Sequence, residues 1–272
     1  MNHLIQRAIE LIAKARHVAA LTGAGLSTPS GIPDFRSPDT GLWANYNPME
    51  IATVYAFRHH PEDFFKWIRP LAQQMASAQP NPAHQALAYM ERAGRLATII
   101  TQNIDGLHQR AGATDVVELH GNIYTATCVR CYRAFASDIF LRALIDEGRI
   151  PMCPVCGHLL KPNVILFGEA LPAQALMAAT RAVNQCDLLI VAGSSLEVSP
   201  AADLPVAALA RHAQLIILNR EPTHLDGRAE VTIAADVAEV LPAIAAGLTE
   251  HDPPDEARDT PAPTKRTPFA ND

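Results

Sequence analysis

The sequence has no excess of positive charge. Its 272 residues include 22 Lys and Arg against 28 Asp and Glu, which gives a formal net charge of −6 and a pI of about 6.0. This balance offers no general attraction to nucleic acid or to an anionic lipid surface, although a local basic patch is compatible with it. We therefore expect neither a nucleic-acid nor a membrane partner.

The N-terminal stretch, residues 1–25, lacks an uninterrupted apolar run. Apolar residues recur there at helical spacing and are interrupted by Arg7, Glu10, Lys14 and Arg16. The pattern is typical of neither a secretory signal nor a membrane span. We expect a cytoplasmic protein, and we take a monomer as its expected state.

Cysteine is sparse, with five residues, but four of them form two Cys-x-x-Cys pairs. The pairs are Cys128 with Cys131 and Cys153 with Cys156. In a reducing compartment such pairs indicate metal ligands before disulfides, and four thiolates complete the tetrahedron that zinc prefers. Because they leave no open coordination position, the sequence predicts one structural zinc ion. Cys186, in an apolar segment, is expected to be a core thiol.

Apolar runs of strand length alternate with helix-length segments along most of the chain. This alternation predicts an α/β fold, a doubly wound (Rossmann-like) parallel sheet covered by helices on both faces. The predicted strands are residues 17–21, 96–101, 116–119, 187–192, 214–219 and 230–233, and the predicted helices are 82–93, 172–185, 200–210 and 237–248.

Two segments interrupt the alternation and are expected to form a smaller lobe. Residues 37–78 have a helical, aromatic pattern, and residues 125–161 hold the cysteine pairs. We expect one domain over residues 1–250, with its core in 1–36, 79–124 and 162–248. Residues 251–272 are rich in proline and charge and poor in apolar residues, which predicts a disordered tail.

Polar side chains follow the predicted strands at their carboxyl ends, where ligands bind in an open α/β sheet. The stretch TQNIDGLH, residues 101–108, ends the second strand with an amide pair, a carboxylate, a glycine and a histidine. After the first strand, Gly23 and Gly25 let the backbone approach a pyrophosphate, although Thr28 replaces the third glycine of the dinucleotide fingerprint. The next three strands end in Glu118 and His120, in Ser194 and Ser195, and in Asn219 and Arg220. These ends together predict a nucleotide site.

At this point the motifs, in their order and spacing, show a resemblance to a known family. The sequence resembles the sirtuins, NAD-dependent protein-lysine deacylases, from about residue 19 to about residue 240. The motifs are GAGLS (23–27), GIPDFR (31–36), TQNIDGLH (101–108), HG (120–121), the two cysteine pairs, FGE (167–169), GSSLEVSP (193–200) and LNRE (218–221). The resemblance implies that residues 1–250 are a sirtuin catalytic domain with NAD between its two lobes.

The resemblance also implies site residues. His120 would be the catalytic base, a role that suits an ordinary pKa of roughly 6.5. Asn103 would be the second catalytic residue and, with Gln102, would position the nicotinamide ribose. Ile104 and Asp105 would hold the nicotinamide. The expected NAD contacts are Gly23, Ala24, Gly25, Thr28, Asp34, Phe35, Arg36, Gln102, Asn103, Ile104, Asp105, Gly193, Ser194, Ser195, Asn219, Arg220, Asp236 and Val237.

The implied substrate is an acetylated protein, bound as an extended peptide that adds a strand to exposed backbone. The expected peptide contacts are Val164, Phe167, Gly168, Glu169, Glu197 and Val198. Family members that prefer succinyl or malonyl groups carry Tyr-x-x-Arg in the helical insertion, where this chain has Ile68 and Leu71. We therefore predict deacetylation, with longer neutral acyl chains as an alternative.

Other interpretations stay open. Protein mono-ADP-ribosyl transfer would use the same activated ribose. A zinc-ribbon nucleic-acid module would explain the cysteines but not the polar strand ends. A dehydrogenase would also bind NAD, but it would need a complete dinucleotide fingerprint, which this chain lacks. One departure from the family is Lys161 before Pro162, where arginine is usual; lysine keeps the charge without the planar fork.

Overall fold

A computed structural model of the chain describes residues 1–34 and 47–250. Phe35, Arg36 and the predicted tail, residues 251–272, lie outside the described residues. Nine strands occur in the described part: β1 Val18–Thr22, β2 Thr98–Thr101, β3 Val116–Glu118, β4 Gly121–Cys128, β5 Ala134–Ala136, β6 Leu160–Val164, β7 Leu188–Ala192, β8 Gln214–Leu218 and β9 Val231–Ile233. The α-helices are α1 Asn2–Lys14, α2 Pro48–Ile51, α3 Val54–His59, α4 Pro61–Ser77, α5 Pro82–Arg92, α6 Leu107–Arg110, α7 Asp138–Glu147, α8 Ala173–Gln185, α9 Asp203–Ala210 and α10 Val237–Glu250.

Six strands form one parallel sheet in the order β3-β2-β1-β7-β8-β9. Its central strands β1 and β7 are buried at every residue, as strands covered on both faces should be. Side chains of α1, α5 and α10 pack on one face, and side chains of α8 and α9 pack on the other. The predicted doubly wound α/β fold is confirmed.

The strand order reverses between β1 and β7. The chain leaves β1 towards β2 and β3 on one side and later enters β7, β8 and β9 on the other. In open α/β sheets such a switch point opens a crevice at the carboxyl ends of the strands, where ligands bind. Because β1 and β7 are neighbouring parallel strands, the turns that follow them lie side by side at this crevice.

A smaller antiparallel sheet, β5-β4-β6, carries the cysteine pairs. Next to it, α3, α4 and α7 form a separate core in which Phe57, Phe64 and Phe65 meet edge to face. Arg69 of α4 donates from Nε and Nη2 to the carbonyl oxygen of Ile145 at 2.9 and 2.7 Å. A cation at the last turn of α7 satisfies a carbonyl and complements the helix dipole, so it fixes the two helices together.

The division into a core and two insertions stays a prediction, and two strands cross its expected limits. β4 runs without interruption across residue 125, and β6 runs across residue 162. No helix within residues 1–34 and 47–250 is both long enough and apolar enough to cross a membrane.

Candidate active site

A cavity of about 1190 Å³ lies at the switch point of the parallel sheet. The turns after β1, β2, β7 and β8 line it on one side. The loop after β6 and residues of α4 line it on the other. The cavity is therefore bounded by both lobes.

The turns after β1 and β7 are pressed against each other at the cavity wall. The Gly25 amide donates to the Gly193 carbonyl at 2.9 Å. Gly193 has φ +63°, and a Cβ added there would lie 2.3 Å from the Leu26 nitrogen. A side chain at this position would force the turns apart, so only glycine fits. The glycines are needed for this backbone contact as well as for the predicted approach of a phosphate.

The amide pair after β2 is held in place by these turns. Asn103 Nδ2 donates to the Gly23 carbonyl and to Ser27 Oγ, both at 3.0 Å. Both N–H groups are thus used, which leaves the amide oxygen as the end that can accept a further donor. Gln102 Nε2 donates to Ser194 Oγ at 2.8 Å and links the ends of β2 and β7.

Asp105 is buried, with 2% of its surface exposed, and is not among the cavity-lining residues. Ser27 Oγ donates to one carboxylate oxygen at 2.6 Å, and the Leu107 amide donates to the other at 2.9 Å. Burial raises the pKa of Asp105, and the two hydrogen bonds oppose that rise. Both oxygens therefore have internal donors, and the expected contact with nicotinamide stays a prediction.

His120 follows β3 and lines the cavity. Its Nδ1 lies 2.9 Å from the Gln102 carbonyl oxygen. Because a carbonyl only accepts, Nδ1 carries the hydrogen, and Nε2 is the basic nitrogen of the neutral ring. Burial lowers the pKa of His120, and the hydrogen bond to Gln102 partly offsets this effect. The ring is therefore neutral at neutral pH and can accept a proton.

Gly121, directly after His120, has φ +69°, and an added Cβ would lie 1.8 Å from the Asn163 carbonyl oxygen. The glycine lets the His120 strand end pass close to β6. As a result, the Ile165 amide donates to the His120 carbonyl at 2.9 Å. The catalytic candidate and the loop after β6 are thus joined through the main chain.

Two buried histidines lie next to the Asn103 network. The rings of His84 and His108 meet edge to face at 5.1 Å, and His108 Nε2 lies 2.9 Å from Thr22 Oγ1. Burial lowers the pKa of His84 to about 4, and burial together with His84 lowers the pKa of His108 to about 3. His108 is 1% exposed and therefore lies in the interior.

At the far end of the cavity, Arg220 pairs with Asp236 at 2.6 Å. The other carboxylate oxygen of Asp236 accepts from the Ala238 amide at 2.8 Å, in the first turn of α10. Asn219 Nδ2 donates to the Glu221 carbonyl at 2.8 Å. The Arg220–Asp236 ion pair therefore links the residues that follow β8 to those that follow β9.

Most of the expected NAD and peptide residues come together in this one cavity. Those that line it are Gly23, Ala24, Gly25, Thr28, Asp34, Gln102, Asn103, Ile104, His120, Val164, Phe167, Gly168, Glu169, Gly193, Ser194, Ser195, Glu197, Val198, Asn219, Arg220, Asp236 and Val237. Among the described residues, the exception is Asp105.

The helical insertion contributes an apolar part of the cavity wall. Ile68 and Leu71, which we placed at the Tyr-x-x-Arg positions, both line the cavity, together with Trp67. Arg69 does not line it, because its guanidinium binds the end of α7. Ala52, Leu171 and Leu176 also line the cavity and were not expected, since isolated apolar residues in loops and helices give no sequence signal.

The four paired cysteines converge as the sequence predicted. Their sulfur atoms all lie within 4.8 Å of one another, with Cys128 Sγ 3.4 Å from Cys156 Sγ and Cys131 Sγ 3.7 Å from Cys153 Sγ. These separations are far above the S–S bond length of about 2.05 Å and suit thiolates about 2.3 Å from a shared zinc ion. The cluster can bind one zinc ion, with no position left for substrate.

Fold and site together define a class: a two-lobed α/β protein whose ligand cavity lies between a parallel sheet and a lobe with a four-cysteine metal site. The chain belongs to the Sir2 family, whose model matches residues 23–200. The expected family is thereby confirmed.

Relatives of known name and solved structures agree with this assignment. NAD-dependent protein deacetylase 1 of Geobacillus kaustophilus is 45% identical over 89% of this chain and 98% of its own length. NAD-dependent protein deacylase 2 of Archaeoglobus fulgidus is 43% identical over 90% and 96%. A Sir2 enzyme solved for its mechanism and regulation has a TM-score of 0.86 at 42% identity, over 93% of this chain and 100% of its own. A complex of Sir2 with a p53 peptide and NAD⁺ has a TM-score of 0.80 at 38% identity, over 91% of this chain and 98% of its own.

Proposed function

We propose that the protein is an NAD-dependent protein-lysine deacetylase, which transfers the acetyl group of lysine to ADP-ribose and releases nicotinamide. One observation carries the proposal: His120, a neutral histidine with a fixed tautomer, lies in the cavity. The same cavity is lined by the glycine turns after β1 and β7 and by the loop after β6. The names of the relatives support it, because they are NAD-dependent protein deacetylases and deacylases.

His120 acts as the general base in this proposal. When bound, NAD supplies an activated ribose carbon and nicotinamide as a leaving group. The Gln102 carbonyl holds Nδ1–H, so Nε2 is the nitrogen that removes a proton from a ribose hydroxyl. The lowered pKa keeps this nitrogen unprotonated at neutral pH.

The turns of the parallel sheet would hold NAD. The turns that contain Gly23, Gly25 and Gly193 would face the phosphates, because a turn without side chains lets a phosphate approach the backbone closely. Asn103, whose amide nitrogen is occupied internally, would offer its oxygen to a ribose hydroxyl or a water molecule. The polar ends of β8 and β9 would contact the adenosine.

The acetylated protein would bind as an extended segment between residues 164–169 and 197–199. Main-chain hydrogen bonds supply affinity in such strand addition, and side-chain pockets supply selectivity. Val164 and Phe167 would line the channel for the lysine stem.

The acyl group would meet the apolar wall formed by Trp67, Ile68 and Leu71. A succinyl or malonyl carboxylate would meet no cation among these three wall residues, and the guanidinium of the neighbouring Arg69 binds the α7 end instead. An unpaired charge in an apolar environment is costly. We therefore propose a preference for acetyl and other neutral acyl groups.

We also propose a cytoplasmic monomer without a nucleic-acid partner. The acidic net charge supports the absence of a nucleic-acid partner, and the four cysteines without disulfides support a reducing compartment. Light scattering with a DNA-binding assay at low salt would test them, and a stable dimer or tight DNA binding would contradict them.

Nicotinamide release tests the activity. Wild-type protein should release nicotinamide from NAD with an acetyl-lysine peptide and far less with the unmodified peptide. His120→Ala should lower the rate by about 100-fold or more, the usual contribution of a general base. His3→Gln, at an exposed site in α1, is the matched control. Release that ignores both the acetyl group and His120 would reject the proposal.

Matched acetyl, octanoyl and succinyl peptides test the acyl preference. We expect wild-type protein to remove acetyl roughly 30-fold faster than succinyl, as an unpaired charge that costs about 2 kcal/mol would require. Adding Ile68→Tyr with Leu71→Arg should narrow this gap, whereas Ile68→Tyr alone should not. Equal acetyl and succinyl rates in the wild type would refute the assignment.

A further inference from the structure

Lys161 lies at the junction between the cysteine-bearing sheet and the loop that lines the cavity. It belongs to β6, in which Leu160, Pro162 and Val164 are buried and the alternate residues are half-buried. Its ammonium turns forward along its own chain. It donates to the carbonyl oxygens of Pro162 at 3.2 Å and Val164 at 2.7 Å, and lies 2.9 Å from Glu169 Oε2. Three acceptors thus use the three donors that an ammonium has.

Glu169 closes the loop from the other end. The same oxygen, Oε2, accepts from the Leu166 amide at 2.9 Å, and the Glu169 amide donates to the Leu166 carbonyl at 3.0 Å. The side chains of Lys161 and Glu169 are only 18% and 23% exposed, so water screens the pair less than it screens an ion pair on the open surface. The carboxylate is therefore committed within the loop and is not a free group facing the cavity.

The closed loop joins three parts of the molecule. The Ile165 amide donates to the His120 carbonyl, as described above. Phe167 exchanges two backbone hydrogen bonds with the helical insertion, to Ala52 at 2.9 Å and from Val54 at 3.0 Å. The Lys161 ammonium adds the link to β6. Its removal would leave the Val164 carbonyl and the Glu169 carboxylate without a cation at the point where the loop begins and ends.

We propose that Lys161 is a positioning residue for the protein substrate: through Glu169 it fixes the backbone of residues 164–169 in the shape that accepts an extended peptide. The inference rests on the proposed function, because the peptide is its ligand. In this arrangement the Glu169 side chain binds Lys161 and the Leu166 amide within the loop, and the peptide pairs with the main chain of the loop.

The test measures binding of a fluorescein-labelled acetyl-lysine peptide by anisotropy, which requires no turnover. Lys161→Met should raise the peptide Kd about fivefold, the effect of losing a partly exposed ion pair of ordinary strength. Glu169→Gln should raise it similarly, and the double variant no further than either single change. Lys161→Arg, which keeps the charge, should stay within about twofold of wild type, and Lys14→Met, an exposed lysine of α1, should not differ.

Kinetics and metal analysis separate positioning from a general loss of structure. In Lys161→Met the peptide KM should rise while the NAD KM, kcat and zinc content stay near the wild-type values. An unchanged peptide Kd in both single variants, additive effects, or an equal rise in Lys161→Arg would overturn the inference. Failure of the proposed function has a different signature, namely no acetyl-dependent nicotinamide release by the wild type.

Discussion

The buried pair of His84 and His108 should make folding stability fall steeply in mild acid. Burial lowers the pKa from 6.5 to about 4 for His84 and to about 3 for His108. Both rings therefore stay unprotonated in the folded state at a pH at which they are protonated in the unfolded chain. The unfolded state therefore binds more protons below pH 6.5, and stability decreases as pH falls from 6.5 towards 4. Burial raises the pKa of Asp105, so this group acts in the opposite direction, whereas His120 acts in the same direction as the pair.

The loss of folding stability can be calculated from the lowered pKa values of His84 and His108. At pH 5 an unfolded histidine with a pKa of 6.5 gains about 2 kcal/mol from protonation that neither buried ring can gain. Two histidines therefore lower the free energy of unfolding by about 4 kcal/mol between pH 7 and pH 5. Urea denaturation at pH 7, 6 and 5, followed by circular dichroism, measures this change.

Substitution isolates the contribution of the pair. His108→Gln keeps a group that can hydrogen-bond Thr22 and removes the titration, so the variant should lose about 2 kcal/mol less than wild type between pH 7 and pH 5. His3→Gln, at an exposed position, should keep the wild-type pH dependence. The four-cysteine cluster is the same in all three proteins, so any effect of pH on metal binding cancels in the comparison. Identical pH slopes for wild type and His108→Gln would refute the reasoning.

Two further predictions concern the metal and the base. Cys156→Ser should remove a ligand of the four-cysteine cluster, abolish stoichiometric zinc in metal analysis and lower the melting temperature, and full zinc retention would contradict a four-thiolate site. Because burial lowers the pKa of His120, kcat/KM for an acetyl peptide should fall on the acid side with a midpoint below 6.5, and a midpoint above 7 would exclude this histidine as the base.

The sequence predicted the parallel sheet well because its central strands are apolar at nearly every position. The predicted strand 187–192 differs from β7 by one residue, and the predicted helix 82–93 from α5 by one. The antiparallel sheet could not be predicted in the same way. β4 has no regular alternation of buried residues, and it forms by pairing with β6, which comes more than thirty residues later.

The candidate site was predictable where it is polar and unpredictable where it is apolar. Amides, hydroxyls and glycines at strand ends predict a ligand site from the sequence. Leu171 and Leu176 also line the cavity, but they lie after β6 and in α8, where single apolar residues give no such signal. The orientation of Asp105 also depended on tertiary structure. Its carboxylate meets Ser27 because the turn after β1 crosses the end of β2, and no local pattern encodes that approach.

The central claim is that acetyl leaves lysine for ADP-ribose, with His120 as the base. Mass spectrometry of wild type and His120→Ala, each incubated with NAD and an acetyl-lysine peptide, tests it most directly. We expect equal amounts of deacetylated peptide, nicotinamide and O-acetyl-ADP-ribose from wild type, and almost none from the variant. Free acetate without NAD consumption, or ADP-ribose attached to protein while the peptide keeps its acetyl group, would contradict the account.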